Sequence, residues 1–508
     1  MLRSKALLVW GLLLCAAGFL VSLNGCGGSS SQKTEVPPPS SAIQHVVVIF
    51  QENRSPDNLF QDPKLIAAGA NIQNYGISAA QPGVHIPLTP VPLGCPPADC
   101  TTYNPDHSHE PAFVDMCDLN TANNTCKMDG AYKVQAFCQK AGTYCLNGQG
   151  NYSYAYVQPS DVQPYFQLAE TYTFADNVFQ SNQGPSFPAH QYLISGSSAV
   201  APPGMPGDNL LLAENPNGIT TGVSANATGC TAPENETVPI IDPSTGVETN
   251  VYPCFDRPTI TDLLNAKGIS WKYYAPSPGS IWTAPNAISH MCGPAHSAAC
   301  TASDWVNNVV LATTANPAPV LTDIMNNQLP TVSWVIPSGQ ASDHPVTNDG
   351  SGPSWVASVV NAIGNSPYWA NTAIIITWDD WGGWYDHVAP PLMLNHYEIG
   401  FRVPMIVVSP YSNLKNAGTG TNVNHTFYEF GSILRFIENT FGLGNIAPSA
   451  TLTYADQFTG PTSATTPGDL SECFDFTQTP LTFQSIQAQY DASHFLNDRR
   501  PPTDPDDD

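Results

Sequence analysis

Charged side chains are scarce in this sequence, at 11% of 508 residues, and basic ones are the scarcest: 16 Lys and Arg stand against 41 Asp and Glu. The low charge excludes a long charged disordered region. The formal net charge of −25 argues against nucleic acid or an anionic membrane surface as a partner. Other absences narrow the chemistry. No Gly-x-Ser-x-Gly elbow occurs, which argues against an α/β-hydrolase esterase. There is no Walker loop, no closely spaced double-Cys motif that would support a zinc site, and no internal repeat.

What is present is a chain long enough for a large core in one domain or two. It has 10% aromatics, 48 Pro and 38 Gly, the composition of a compact, loop-rich globular protein. Its organising stretch is residues 373–388, A-I-I-I-T-W-D-D-W-G-G-W-Y-D-H-V. The β-branched run at 374–377 predicts a strand buried on both faces. Asp379 and Asp380 follow at its carboxyl end, where open α/β sheets bind ligands. Adjacent acids repel unless a metal ion or a shared proton compensates; taken alone, one Asp could equally cap a helix while the other faces water. Gly382 and Gly383 permit a sharp turn.

The N-terminus carries Arg3 and Lys5, an apolar stretch at 6–23, and Leu23-Asn24-Gly25-Cys26. This pattern predicts a secretory signal at 1–26. Its end resembles a bacterial lipobox, which makes Cys26 a candidate for lipid attachment to the outer or cell membrane. An ordinary cleaved signal or a retained anchor are the other readings. All three place the body outside the cytoplasm, as a periplasmic, membrane-anchored or extracellular protein. Residues 27–42 read as a flexible tether. Thirteen cysteines fit an oxidising compartment. Neighbouring pairs are expected as local disulfides, although spacing does not fix connectivity: Cys95 with Cys100, Cys117 with Cys126, Cys138 with Cys145, Cys230 with Cys254, and Cys292 with Cys300. Cys473 is left over.

Further strands are expected at 45–50, 172–178, 269–274, 331–336 and 403–408, and helices at 258–266, 321–326, 354–363 (amphipathic) and 427–441. Helix and strand alternate, so the sheet should be mostly parallel. Several strand ends meet polar residues. Gln51-Glu52-Asn53-Arg54-Ser55 follows the first strand and offers hard oxygen donors, or else a helix cap at Asn53 or Ser55. Gly184-Pro185-Ser186-Phe187-Pro188 opens a helix, so Ser186 stands where backbone N–H groups could cradle a phosphate or simply serves as N-cap. Ser342-Asp343-His344 follows the strand at 331–336. Asp106-His107-Ser108-His109-Glu110 and His290 lie in loops. Residues 61–160 and 200–255 read as disulfide-stapled loops over the strand ends, and the last seventy residues as a solvated tail.

Five segments, in this order, resemble the bacterial phosphoesterase family of phospholipases C and acid phosphatases: Glu52-Asn53-Arg54-Ser55, Gly184-Pro185-Ser186-Phe187-Pro188, Ser342-Asp343-His344, Trp378-Asp379-Asp380-Trp381-Gly382-Gly383-Trp384-Tyr385-Asp386-His387-Val388, and Phe401-Arg402-Val403-Pro404. The resemblance covers residues 43–445, with 446–508 as a C-terminal extension and acidic tail. It implies a three-layer α/β/α, alkaline-phosphatase-like fold. It further implies Ser186 as a nucleophile that forms a covalent phospho-enzyme, a divalent metal ion held by Glu52, Asn53, Asp380 and Ser186, and Asp379, His107, His290 and His344 around the phosphate.

Oxygen donors favour calcium, magnesium or manganese over zinc. Such local cations would let an acidic protein bind an anionic phosphate ester. The family often has Asp-Glu where this chain has Asp379-Asp380. Its phospholipases often carry Thr at the nucleophile and C-terminal β domains, whereas this chain has Ser and no such extension, which tilts the reading toward a phosphatase. A phospholipase C-type phosphodiesterase is the nearest alternative. A catalytically silent surface lipoprotein that binds a ligand is the alternative from another class.

Overall fold

A run such as Val46-Val47-Val48-Ile49 suits a pleated surface covered on both sides, and this run forms the middle of the sheet. The computed structural model describes residues 42–94, 103–120, 125–138, 143–144, 151–198, 212–215, 228–242, 247–394, 397–446, 454–457 and 466–503. The signal, Cys26, the tether up to residue 41, the Cys95–Cys100 and Cys138–Cys145 pairings and residues 504–508 lie outside that description.

The main sheet is built, in chain order, from β1 (His45–Gln51), β2 (Thr173–Ala175), β3 (Trp271–Ala275), β4 (Val309–Leu311), β5 (Val332–Val335), β6 (Thr372–Trp378), β7 (Met405–Val408) and β8 (Val423–Asn424). Their spatial order is β4-β3-β5-β1-β6-β7-β2-β8. Neighbours are parallel except at β7, which runs antiparallel to both β6 and β2.

Helices α1 (Gln163–Thr171), α2 (Ser186–Ser195), α3 (Ile260–Ala266), α4 (Pro319–Met325), α5 (Gly352–Gly364), α6 (Phe430–Phe441) and α7 (Ala492–Asn497) flank the sheet. Side-chain alternation assigns the two faces. Phe50 is in register with Thr377, and Gln51 with Trp378. The Phe50 ring meets His190 of α2 at 4.8 Å and Phe430 of α6 at 5.3 Å. Trp378, one step on, meets Tyr165 of α1 at 5.1 Å. The two helix groups therefore lie on opposite faces, and the architecture is a three-layer α/β/α fold with a mostly parallel sheet. Strand β6 is buried along its whole length. Each buried Ile there contributes about 2 kcal/mol, so the central strands are rigid ground for the groups at their ends.

Disulfides join Cys117 to Cys126, Cys230 to Cys254 and Cys292 to Cys300, while Cys473 is a buried free thiol. Over the strand ends, Phe113, Met116 and Met128 form a small satellite core with Trp381, Tyr385 and Phe401. Among the described residues no helix is long and apolar enough to cross a membrane.

The structure departs from the sequence expectations in four places. Because β7 runs antiparallel, its end at residue 408 points away from the edge where Glu52 and Asp379 stand. The strand expected at 172–178 breaks at Asp176-Asn177, where the Asp176 carboxylate leaves to accept from Asn71 N at 2.7 Å and His425 Nδ1 at 2.7 Å. Helix α5 is buried on nearly every face and is not amphipathic. The described part of the expected solvated tail packs back onto the domain. Phe474, Ile486 and Phe495 join the core, and Phe483 lies 5.0 Å from Trp369. Isolated aromatics in a Pro/Thr-rich stretch have no periodicity to betray them, yet each buries a large apolar area. Replacing Phe495 (5% exposed, 5.2 Å from Trp355) with Ala should lower the unfolding free energy in urea by about 3 kcal/mol. No change would mean that the segment lies loosely on the surface.

Candidate active site

The site starts from the register of two strands. β1 and β6 are parallel neighbours, and Asp379 N donates to Gln51 O at 2.9 Å, which carries the ladder one step past the strands. Glu52 therefore stands beside Asp379 on the face toward α2. Asn53 then takes a left-handed turn, φ 60°, which Asn tolerates better than other non-glycine residues. Its N–H donates to Asp379 Oδ1 at 2.9 Å, and Arg54 N donates to Asp380 O at 2.9 Å. Gly382 and Gly383 have φ of 63° and 71°. A Cβ on Gly382 would strike the Asn53 carbonyl, and one on Gly383 would strike the backbone of Pro105 and Asp106. The Gly-Gly pair thus lets the loop after β6 close over Asn53 and press on the segment that carries His107.

Ser186 begins α2 and is fully buried. Its Oγ lies 3.3 Å from Asp380 Oδ2 and 3.5 Å from Glu52 Oε2. The backbone phosphate cradle expected from sequence is narrower than the helix start suggests. Phe187 N already donates to Asn215 Oδ1 at 2.8 Å, and Pro188 has no N–H. The turn presents the hydroxyl more than the amides.

Sequence reasoning missed His190. It follows Ser186 by one helical turn, so both side chains share a face, and that i, i+4 spacing was the available signal. His190 is fully buried, with Trp282 stacked over it at 6.3 Å. Its Nδ1 faces the Tyr273 hydroxyl at 3.4 Å. That hydroxyl donates to Trp282 O at 2.8 Å, so the proton sits on Nδ1. Nε2 then turns a lone pair toward Glu52 Oε1 at 3.2 Å and Asp379 Oδ2 at 4.0 Å. Burial pushes His190 down to about 4, so protonation does not relieve the contact at neutral pH. Three negative or lone-pair groups within 4.8 Å of one another call for a cation between them. Asn53 Oδ1 and Asp379 Oδ2 are buried oxygens without a hydrogen-bond partner, which native interiors avoid unless a ligand supplies one. The residues present fit a divalent cation.

Two of the three expected phosphate-side histidines gather here. His107 is buried, its Nδ1 donating to Pro105 O at 2.9 Å and its Nε2 accepting from Asn53 Nδ2 at 3.0 Å. His344 is buried with its ring 6.4 Å from His107 and 6.1 Å from Trp282. It is carried there by Asp343, whose N–H donates to Gln51 Oε1 at 3.1 Å and whose Oδ2 accepts from Tyr165 and Trp378 at 2.8 and 2.9 Å.

His290 corrects the expectation, because it is held elsewhere. Its side chain is 31% exposed and pairs with Asp256 at 2.8 Å and Asp262 at 3.4 Å, near the start of α3. It sits in the short helix Ser289–Cys292 rather than in a loop, and its strongest local partners are surface acids. Asp386 and His387, next to the Gly-Gly turn, are buttresses. Arg402 grips both Asp386 oxygens, at 2.8 and 2.9 Å, and His387 Nδ1 meets Asp57 at 2.7 Å.

The bond to Asp262, together with that to Asp256, holds His290 up at about 9 against the cost of partial burial. A folded pKa above the unfolded value of about 6.5 gives stability that is complete below that pH and is lost as pH rises toward 9. With a third of the side chain in solvent, the effect should stay below about 1 kcal/mol. Urea unfolding of wild type against His290→Gln between pH 6 and 9.5 should show the wild-type advantage shrinking by that amount. Parallel curves would contradict the pairing.

Comparison with known proteins identifies the family. The chain matches the Phosphoesterase family over residues 43–444. It is 24% identical over 472 residues to Phospholipase C B of Mycobacterium tuberculosis, covering 86% of this chain and 78% of that protein. It is 25% identical over 483 residues to the non-hemolytic phospholipase C of Burkholderia pseudomallei, covering 85% of this chain and 59% of that one. A solved protein in the alkaline phosphatase superfamily, from Vibrio parahaemolyticus, overlaps 58% of this chain and 64% of its own, at 9% identity and a TM-score of 0.32; the fold stands on the sheet itself and not on that overlap. With the match running across nearly the whole sheet domain, the chain belongs to the Phosphoesterase family, hydrolases acting on phosphoric ester bonds.

Proposed function

We propose that the chain is a metal-assisted phosphoric ester hydrolase in which Ser186 is the nucleophile and a phosphoserine the intermediate. The observation that carries this reading is the Ser186 hydroxyl set 3.3 Å from Asp380 and 3.5 Å from Glu52, beside the buried oxygens Asn53 Oδ1 and Asp379 Oδ2 that lack hydrogen-bond partners. Glu52, Asn53, Asp379 and Asp380 would hold the ion, with Ser186 Oγ at its edge and His190 Nε2 facing Glu52 and Asp379. When bound, a divalent ion lowers the pKa of the hydroxyl and neutralises charge on the phosphoryl oxygens. The donor set expected from sequence was all oxygen. His190 adds an imidazole, and of calcium, magnesium and manganese it is manganese that accepts both donor types most readily.

The residues divide the reaction between them. Ser186 Oγ passes its proton to Asp380 Oδ2 and attacks phosphorus. The ester oxygen leaves with its bonding pair and takes a proton from the His344 imidazolium. Water then attacks the phosphoserine, releasing phosphate and returning the hydroxyl. Glu52 and Asp379 fix the site. Asn53, whose Nδ2 donates to His107 Nε2, ties the ion site to the histidine side of the pocket.

Phosphomonoesters are the first substrate class, as for an acid phosphatase. The curated relatives named phospholipase C favour a second reading, hydrolysis of the diester in a phospholipid. Residues 1–26 act as a signal, Cys26 as a lipid attachment point, 27–42 as a tether and 43–445 as the catalytic domain of an exported protein; the three disulfides fit that compartment. Hydrolysis of a chromogenic phosphomonoester, a bis-ester and phosphatidylcholine should be compared for wild type and Ser186→Ala, with and without chelator. Ser186→Ala should lower kcat by about a thousandfold or more, and chelation should abolish a turnover that manganese restores. Equal rates in wild type and variant would overturn the assignment.

A further inference from the structure

Three groups of metal-type side chains occur among the described residues, and they differ in how their charge is balanced. The first is the Ser186 site. In the second, Asp57, Asp386 and His387, the Arg402 guanidinium supplies a permanent charge. Besides gripping Asp386, it comes within 3.6 Å of Asp57. That network is closed by protein groups alone.

The third group is His109, Glu214 and Glu398, whose ligand atoms lie within 4.8 Å of one another. His109 Nε2 is 3.3 Å from Glu398 Oε1, and the two side chains are 11% and 6% exposed. Glu214 is 6% exposed. No arginine or lysine pairs with either carboxylate among the described residues. Each member keeps a buried polar atom without a partner: His109 Nδ1, Glu214 Oε2 and Glu398 Oε2. Two carboxylates taken out of water cost several kcal/mol each unless compensated, and one imidazole cannot neutralise both. Ligands about 2.1 Å from a common ion lie up to about 4.2 Å apart, so a small movement closes the cluster on an ion.

Its place in the fold gives the cluster a purpose. His109 starts the turn His109–Phe113, Glu214 follows the short strand Leu212–Ala213, and Glu398 ends the strand Tyr397–Glu398. None of these belongs to the main sheet. Glu214 packs so tightly on Gly184 that a Cβ there would strike its Oε2, which puts the cluster two residues from Ser186. We propose that His109, Glu214 and Glu398 hold a second divalent cation that ties three loops together beside the nucleophile turn. Two carboxylates and one imidazole suit a first-row ion such as manganese or zinc. The ion is a staple for the rim of the site and takes no part in phosphoryl transfer.

Equilibrium dialysis of the purified chain against manganese(II) alone, with metal counted per chain, tests the proposal. Wild type should hold two ions, the Glu214→Gln/Glu398→Gln variant one, and Glu52→Gln one. In the Glu52→Gln background, manganese should still raise the thermal midpoint. Should the double variant fail to fold, Glu52→Gln decides: one retained ion supports the staple and none overturns it. Two ions in the folded double variant, or one ion in wild type that Glu52→Gln removes, would also overturn it. The first site is read separately through the loss of ion and turnover in Glu52→Gln, so failure of one assignment is distinguishable from failure of the other.

Discussion

Like charges brought together out of water set the terms for this protein. Glu52, Asp379 and Asp380 are fully buried at the ends of two adjacent strands. Separating them would mean breaking the register between β1 and β6, whose apolar residues contribute far more than any one side chain could recover by moving away. The repulsion therefore stays in place, and in the proposed reading a cation answers it. His190 does not answer it, because burial keeps that imidazole neutral. On that reading an arrangement costly to fold alone becomes favourable once an ion is present, the same ion would meet the phosphate ester, and the conflict between an acidic protein and an anionic substrate would be resolved at this point of the sheet.

The surrounding loops hold that arrangement in place. The Gly382-Gly383 turn brings the loop after β6 against Asn53 and against Pro105 and Asp106, so one backbone contact positions both a ligand oxygen and His107. Arg402 locks the far end of the same loop through Asp386. The satellite core of Phe113, Met116, Trp381 and Phe401 then covers the outside. Most of the residues in the Trp-Asp-Asp-Trp-Gly-Gly-Trp-Tyr-Asp-His-Val motif serve this packing. Only Asp379 and Asp380 belong to the proposed reaction site.

What could be read from sequence follows from range. Strands β1 and β6 announced themselves because runs such as Ile374-Ile375-Ile376 have few other uses, and the acids at their ends were legible as soon as a parallel sheet was inferred. His190 was not legible as a site residue, since inside an apolar helix a histidine reads as core. Only the position of Ser186 one turn earlier reveals it. His290 was misplaced for the opposite reason: nothing local shows that this histidine will be captured by Asp256 and Asp262, which precede it by 34 and 28 residues. The direction of β7 and the docking of Phe495 depend on chain reversal and on isolated aromatics. Neither leaves a periodic trace.

The most direct measurement is a rapid acid quench of the full chain mixed with a phosphomonoester, followed by peptide mass spectrometry. One phosphoryl group on the peptide containing Ser186, absent from Ser186→Ala and from wild type mixed with the product alcohol only, is the expected result. A chain that turns over substrate while Ser186 stays unmodified at every quench time, or one that carries the phosphoryl group on another residue, would contradict the central claim.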